Sequence, residues 1–94
     1  MIEILTFRLA SGDHEAAFLD ADRRVQIEAV PNQPGFLRRT TARSNDGEWV
    51  VVTLWASADD ADRYEATADH PAMVAFEALL EPATIQTKRY ETLD

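Results

Sequence analysis

Ser44-Asn45-Asp46-Gly47-Glu48-Trp49-Val50-Val51-Val52-Thr53-Leu54-Trp55 is the stretch that decides the fold. Its first four residues mark a hairpin turn, because Asn45, Asp46 and Gly47 tolerate positive φ. The seven that close it, 49–55, are aromatic or β-branched at nearly every position. Such a run predicts a central strand that wants cover on both faces. A hairpin turn needs a strand on its other side, and 36–43 supplies it, led in by the turn Asn32-Gln33-Pro34-Gly35. Residues 2–9, Ile-Glu-Ile-Leu-Thr-Phe-Arg-Leu, read as a first strand, and 84–93 as a last one.

Two helices fill the gaps between strands. Ser11-Gly12-Asp13 breaks the first strand, and Asp13 and Glu15 suit the positive end of the helix that follows. Phe18, Ala21, Val25 and Ala29 recur at helical spacing and form one apolar face, which Pro31 ends. Ser57 is a good N-cap for the second helix, with Asp60 at the capping-box position. Ala61, Tyr64 and Ala68 form its inner face. Pro71 excludes helical backbone at the residue before it, so the chain should kink at His70. Helix resumes with Met73, Phe76 and Leu80 turned inward, and Pro82 stops it.

The order β-α-β-β-α-β predicts an α+β fold of the ferredoxin-like kind: a four-stranded antiparallel sheet with both helices on one face. The length, 94 residues, fits one domain over 1–94. A chain this size buries only about 65% of its unfolded surface. Two helices cover one sheet face; Val50, Val52 and Leu54 show that the other face also wants burial, so a homodimer is expected.

Composition narrows the function classes. With no cysteine, disulfides, zinc–thiolate sites, iron–sulfur clusters and a cysteine nucleophile are excluded. The net charge of −8 disfavours nucleic acid and anionic membrane as partners. No apolar run approaches the ~20 residues of a membrane span, and the first residues carry no basic-then-apolar signal. A cytoplasmic location is expected. The acids concentrate in the helices, while Arg8, Arg38, Arg39, Arg43, Lys88 and Arg89 lie in predicted strands. RNA-recognition motifs share this strand order, but they need basic residues in the third strand, and 49–55 has none.

Four pieces in order carry a family resemblance. They are the Ser11-Gly12 turn followed by a helix with Phe18, Pro34-Gly35-Phe36 leading into the second strand, Val51-Val52-Thr53-Leu54-Trp55-Ala56-Ser57 running into the second helix, and Asp69-His70-Pro71 followed by Phe76. Together they resemble the antibiotic biosynthesis monooxygenase domains of the dimeric α+β barrel superfamily. The resemblance implies two sheets joined in a shared barrel, and cofactor-independent oxygenation as one activity. Haem-degrading members resemble the chain too, but use an Asn, a Trp and a His where this sequence has Phe7, Tyr64 and Val74. The resemblance therefore implies no tight haem complex and no bound cofactor or metal.

The candidate site residues follow. His70, at the kink, is either a capping histidine or a general base. Tyr64 is either packing or a hydrogen-bond donor to a ligand, and Trp55 is either core or a flat wall for a small aromatic ligand. Arg38 and Arg39 point to opposite faces of their strand, so at most one faces a pocket. The expected function is a cofactor-independent monooxygenase acting on a small aromatic or enolisable, polyketide-like substrate, with His70 and Tyr64 catalytic and Trp55, Arg39 and Arg38 around the substrate. The other reading is a non-catalytic dimeric ligand-binding domain.

Overall fold

The computed structural model describes residues 1–66 and 69–94; Ala68, expected on the inner face of the second helix, lies outside them. Strands β1 (Ile2–Phe7), β2 (Phe36–Arg43), β3 (Trp49–Trp55) and β4 (Gln86–Tyr90) form one antiparallel sheet in the order β2-β3-β1-β4. The apolar run is central, as its composition requires. Ser44 and Asp46 organise the turn before it: Glu48 N–H donates to Ser44 Oγ at 3.1 Å, and Gly47 takes φ of 90°.

Helix α1 (Glu15–Arg24) follows a short 3₁₀ turn over Gly12–His14, and Ser11 accepts the Asp13 N–H at 3.3 Å. The periodic face Phe18, Ala21, Val25 and Ala29 is buried throughout. The last part of this helix is not straight. Over Val25–Ala29 it widens to a π turn, in which Val30 N–H donates to Val25 O at 3.1 Å. That widening brings Val25 and Val30 both into the core.

The second helical stretch is two helices. Helix α2 (Ala58–Glu65) starts at Ser57, which accepts the Asp60 N–H at 3.2 Å. Helix α3 (Pro71–Glu77) starts at His70, whose backbone is extended with ψ of 133°, the conformation a following proline enforces. The expected kink is thus a full break. Two strands are also shorter than their patterns. β1 ends at Phe7 because Arg8 and Ala10 bond to the segment after α3: Glu81 N–H donates to Arg8 O at 2.8 Å and Ala10 N–H to Leu79 O at 3.0 Å. β4 begins after a 3₁₀ turn over Pro82–Thr84.

The helices cover the face that carries Leu5, Phe7, Trp49, Val51, Thr53 and Trp55. Phe18 is the hub of this core. Its ring lies 5.5 Å from Phe7, 4.7 Å from Trp49 and 5.3 Å from Phe76 between centroids. The opposite face presents Ile2, Ile4, Val50, Val52 and Leu54 side by side across β1 and β3, all half-buried.

β2 carries an irregularity with consequences for the site. Phe36 pairs with Trp55, yet Arg38 pairs with the adjacent Leu54, so Leu37 is an extra residue. A bulge of this kind shifts the alternation by one position. Phe36 and Arg39 therefore both face the helices, and Arg38 faces out.

Candidate functional site

A cavity of about 490 Å³ lies between the sheet and the broken second helix. Its floor is the helix-facing side of all four strands: Arg39 from β2, Val51 and Thr53 from β3, Glu3 and Leu5 from β1, Thr87 from β4. Val25, from the π turn, forms one wall. Tyr64 and Glu65 come from α2, and Met73, Phe76 and Glu77 from α3. Leu80, Pro82 and Ile85 close the end beyond α3. The lining is mainly apolar with a few polar groups, the usual make-up of a small-molecule site.

Tyr64 reaches this space because α2 places it three residues after the buried Ala61, on the same helix face. Its ring lies 5.2 Å from that of Trp55 between centroids, tilted by 38°, and its hydroxyl donates to Met73 Sδ at 2.6 Å. Burial pushes the phenol up to about 12, with Glu77 and Glu3 adding to the rise and Arg39 opposing it. The hydroxyl is therefore neutral over the whole physiological range. It can donate a hydrogen bond, and it cannot act as a base.

Arg39 is the inward arginine of β2. Its side chain is only 5% exposed and pairs with Asp22 of α1 at 2.8 Å. Arg39 Nη1 also donates to Gln26 Oε1 at 3.2 Å, and Thr41 Oγ1 donates to Asp22 Oδ1 at 3.0 Å. The guanidinium lies 5.6 Å from the centre of the Phe76 ring. The cation is thus fixed in position and its charge is largely balanced, as a buried charge must be.

The other candidates stand elsewhere. Trp55 is buried behind Tyr64 and edge-on to Phe36 at 5.8 Å, and it is outside the cavity lining. Arg38 is exposed on the outer face. His70 caps α3, its Nδ1 accepting the Ala72 N–H at 3.1 Å, and it too is outside the lining.

Sequence patterning passed over the acidic groups of the cavity. Glu3 sits in a strand whose other members are mostly apolar, and its side chain is 16% exposed. Arg89 of β4 holds it, Nε donating to Glu3 Oε2 at 2.8 Å. The same guanidinium reaches Asp62 at 2.7 Å and Glu65 at 3.0 Å on α2. The signal was present in the sequence: Glu3 and Arg89 are opposite charges on adjacent strands, but only the register places them face to face.

Comparison with known proteins agrees with this architecture. The family model described as antibiotic biosynthesis monooxygenase matches residues 1–76. SnoaB, a cofactor-independent oxygenase from Streptomyces nogalater, is similar in structure, with a TM-score of 0.76, 22% identity, and coverage of 99% of this chain and 92% of that one. PA3566 from Pseudomonas aeruginosa superposes with a TM-score of 0.68 at 18% identity, covering 99% of this chain and 93% of that one. For Rv0793 from Mycobacterium tuberculosis the TM-score is 0.70 at 17% identity, with 99% and 95% covered. At these identities the likeness establishes a shared fold. No curated protein sequence matches the chain.

Proposed function

The chain belongs to the antibiotic biosynthesis monooxygenase family, and from that premise we propose that it is a cofactor-independent monooxygenase acting on a small aromatic or enolisable substrate. The observation that carries this reading is the cavity itself. It is mainly apolar, it has room for a small polycyclic ring system at about 490 Å³, and it is bordered by one fixed cation and one phenol that is neutral at physiological pH.

Oxygenation without a cofactor asks little of the protein. A base removes a proton from the substrate, and the anion so formed gives an electron to molecular oxygen. A dry cavity keeps the anion from regaining its proton from water. In this reading Tyr64 turns its one O–H from Met73 Sδ to the substrate oxygen, and Arg39 stabilises the charge that develops there. Trp55 supports the Tyr64 ring from behind. Arg38 has no part in the cavity, and His70 would have to act through its Nε2, since Nδ1 is engaged.

The same reading takes the protein to be a cytoplasmic homodimer. The sheet face with Ile2, Ile4, Val50, Val52 and Leu54 is the surface proposed to meet the second copy, because a contiguous apolar patch of that kind is costly to leave in water. No helix among the described residues is long and apolar enough to cross a membrane.

Oxygen uptake tests the proposal. With a panel of phenols, hydroquinones and hydroxynaphthalenes, the purified protein should consume oxygen in the absence of added metal or flavin. Tyr64→Phe and Arg39→Met should each lower the rate by roughly 10²-fold or more. Uptake that never exceeds the protein-free control would reject the oxygenase. Tight binding of the same compounds without turnover would establish the ligand-binding domain in its place.

A further inference from the structure

Glu3 is an acid on the inner face of a central strand. It lies between Thr53 of β3 and Arg89 of β4, and it lines the cavity together with Arg39, Tyr64 and Glu65. A buried carboxylate is costly unless it is held by donors, and Arg89 supplies the donor. Yet Arg89 is shared. Its three nitrogens serve Glu3, Asp62 and Glu65. Three carboxylates on one guanidinium leave a surplus of negative charge, and Glu65 stands beside Glu3.

The consequence is a carboxylate that holds protons well. Burial raises Glu3 above the ordinary glutamate range, with Glu65 adding to the rise and Arg89 working against it. An ordinary surface carboxylate is too weak a base to draw a proton from a phenol at neutral pH, and moving it upward is how proteins recruit one. His70 is placed otherwise, at a helix N-cap and outside the cavity lining.

We propose that Glu3 is the general base of the cavity: a carboxylate oxygen takes the proton of a phenolic or enolic hydroxyl, Arg89 keeps the carboxylate in place, and the Tyr64 O–H exchanges Met73 Sδ for the oxyanion produced. This rests on the oxygenase reading of the same cavity. In the step, the substrate O–H bond breaks and a Glu3 O–H bond forms. The bonding pair stays on the substrate oxygen, and nothing is oxidised or reduced until molecular oxygen meets the anion. The charged and titratable groups around Glu3 are Arg89 from β4, Asp62, Tyr64 and Glu65 from α2, Glu77 from α3 and Arg39 from β2.

The test combines oxygen uptake against pH with a ¹³C-carboxyl titration of Glu3, using hydroquinone as the probe and nitrogen-flushed samples for the titration. Glu3→Gln keeps the side chain's shape and its acceptor for Arg89. It should lower uptake by about 10²–10⁴-fold, remove the fall in rate on the acid side, and leave the circular dichroism unchanged. Glu3→Asp, which keeps the carboxylate, should recover part of the rate. In the wild type, hydroquinone should displace the Glu3 titration. If Glu3→Gln retains the wild-type rate and pH profile while the wild type consumes oxygen, the base assignment falls and the oxygenase stands. A loss seen with His70→Ala and absent from Glu3→Gln would likewise overturn it. If the wild type consumes no oxygen, the oxygenase reading fails, and the titration decides: a Glu3 signal unmoved by saturating hydroquinone removes the proposal as well.

Discussion

Asp22→Asn isolates what holds the cavity's cation in place. Asp22 and Arg39 are 14% and 5% exposed and approach to 2.8 Å. At an effective dielectric of about 20, two unit charges at that distance attract by ~6 kcal/mol. Desolvation offsets much of this, and removing one partner of such a pair costs ~3–5 kcal/mol because the other charge stays buried. Asn keeps an oxygen for Arg39, so the expected loss is toward the lower end, ~3 kcal/mol. For a chain of this length that is a fifth or more of a total stability of roughly 5–14 kcal/mol. In urea, with an m-value near 1.5 kcal/mol/M, the midpoint should fall by about 2 M. The decisive measurement is the double-mutant cycle with Arg39→Met, followed by far-UV circular dichroism. The coupling should reach ~2 kcal/mol and should survive ~1 M salt, since a buried pair is poorly screened. A coupling below ~0.5 kcal/mol, or one abolished by salt, would show that the pair is in effect solvated, and the picture of Arg39 as a fixed inward cation would be wrong.

Three further outcomes are expected. Gly35 has φ of 78°, and a Cβ there would run into the Asp60 carboxylate, so Gly35→Ala should cost ~1–3 kcal/mol; a thermal midpoint equal to that of the wild type would contradict this. Tyr64 should ionise only near pH 12 in an absorbance titration, in a step that Tyr64→Phe removes. Because its folded value lies above the unfolded value of ~10, it should add nothing to pH dependence below pH ~10 and should destabilise the wild type relative to the Phe variant above it. Glu3 follows the same sign at lower pH: its raised carboxyl favours the protonated form in the folded state, so stability from this group falls as pH climbs through and above the ordinary glutamate range. Urea curves should show Glu3→Gln gaining on the wild type between pH 4 and neutrality, about where glutamates titrate, and a constant gap would refute the shift.

The elements of this protein were legible in the chain because each has a local cause. The Ser-Asn-Asp-Gly turn, the apolar run of β3, the spacing of Phe18, Ala21, Val25 and Ala29, and the Ser57 cap all act within a few residues of themselves, and all stand where patterning puts them. The break at His70 follows from one proline. Even the cavity beneath the broken helix is foreshadowed, since a helix in two pieces leaves room above a sheet.

The membership of the site was decided by tertiary structure, through register. Counting alternation from Phe36 would send Arg38 inward with it; the extra residue at Leu37 reverses the count and delivers Arg39 instead. One side of the cavity takes its cation from that inserted residue, which no propensity signals. Glu3 and Arg89 lie 86 positions apart, and only the pairing of β1 with β4 makes them partners. Side chains on a strand point by parity, and local sequence sets parity only up to a bulge and a choice of neighbour. Both of those are settled when the sheet assembles and the whole core selects the pairing that buries the most apolar surface with the fewest unpaired charges.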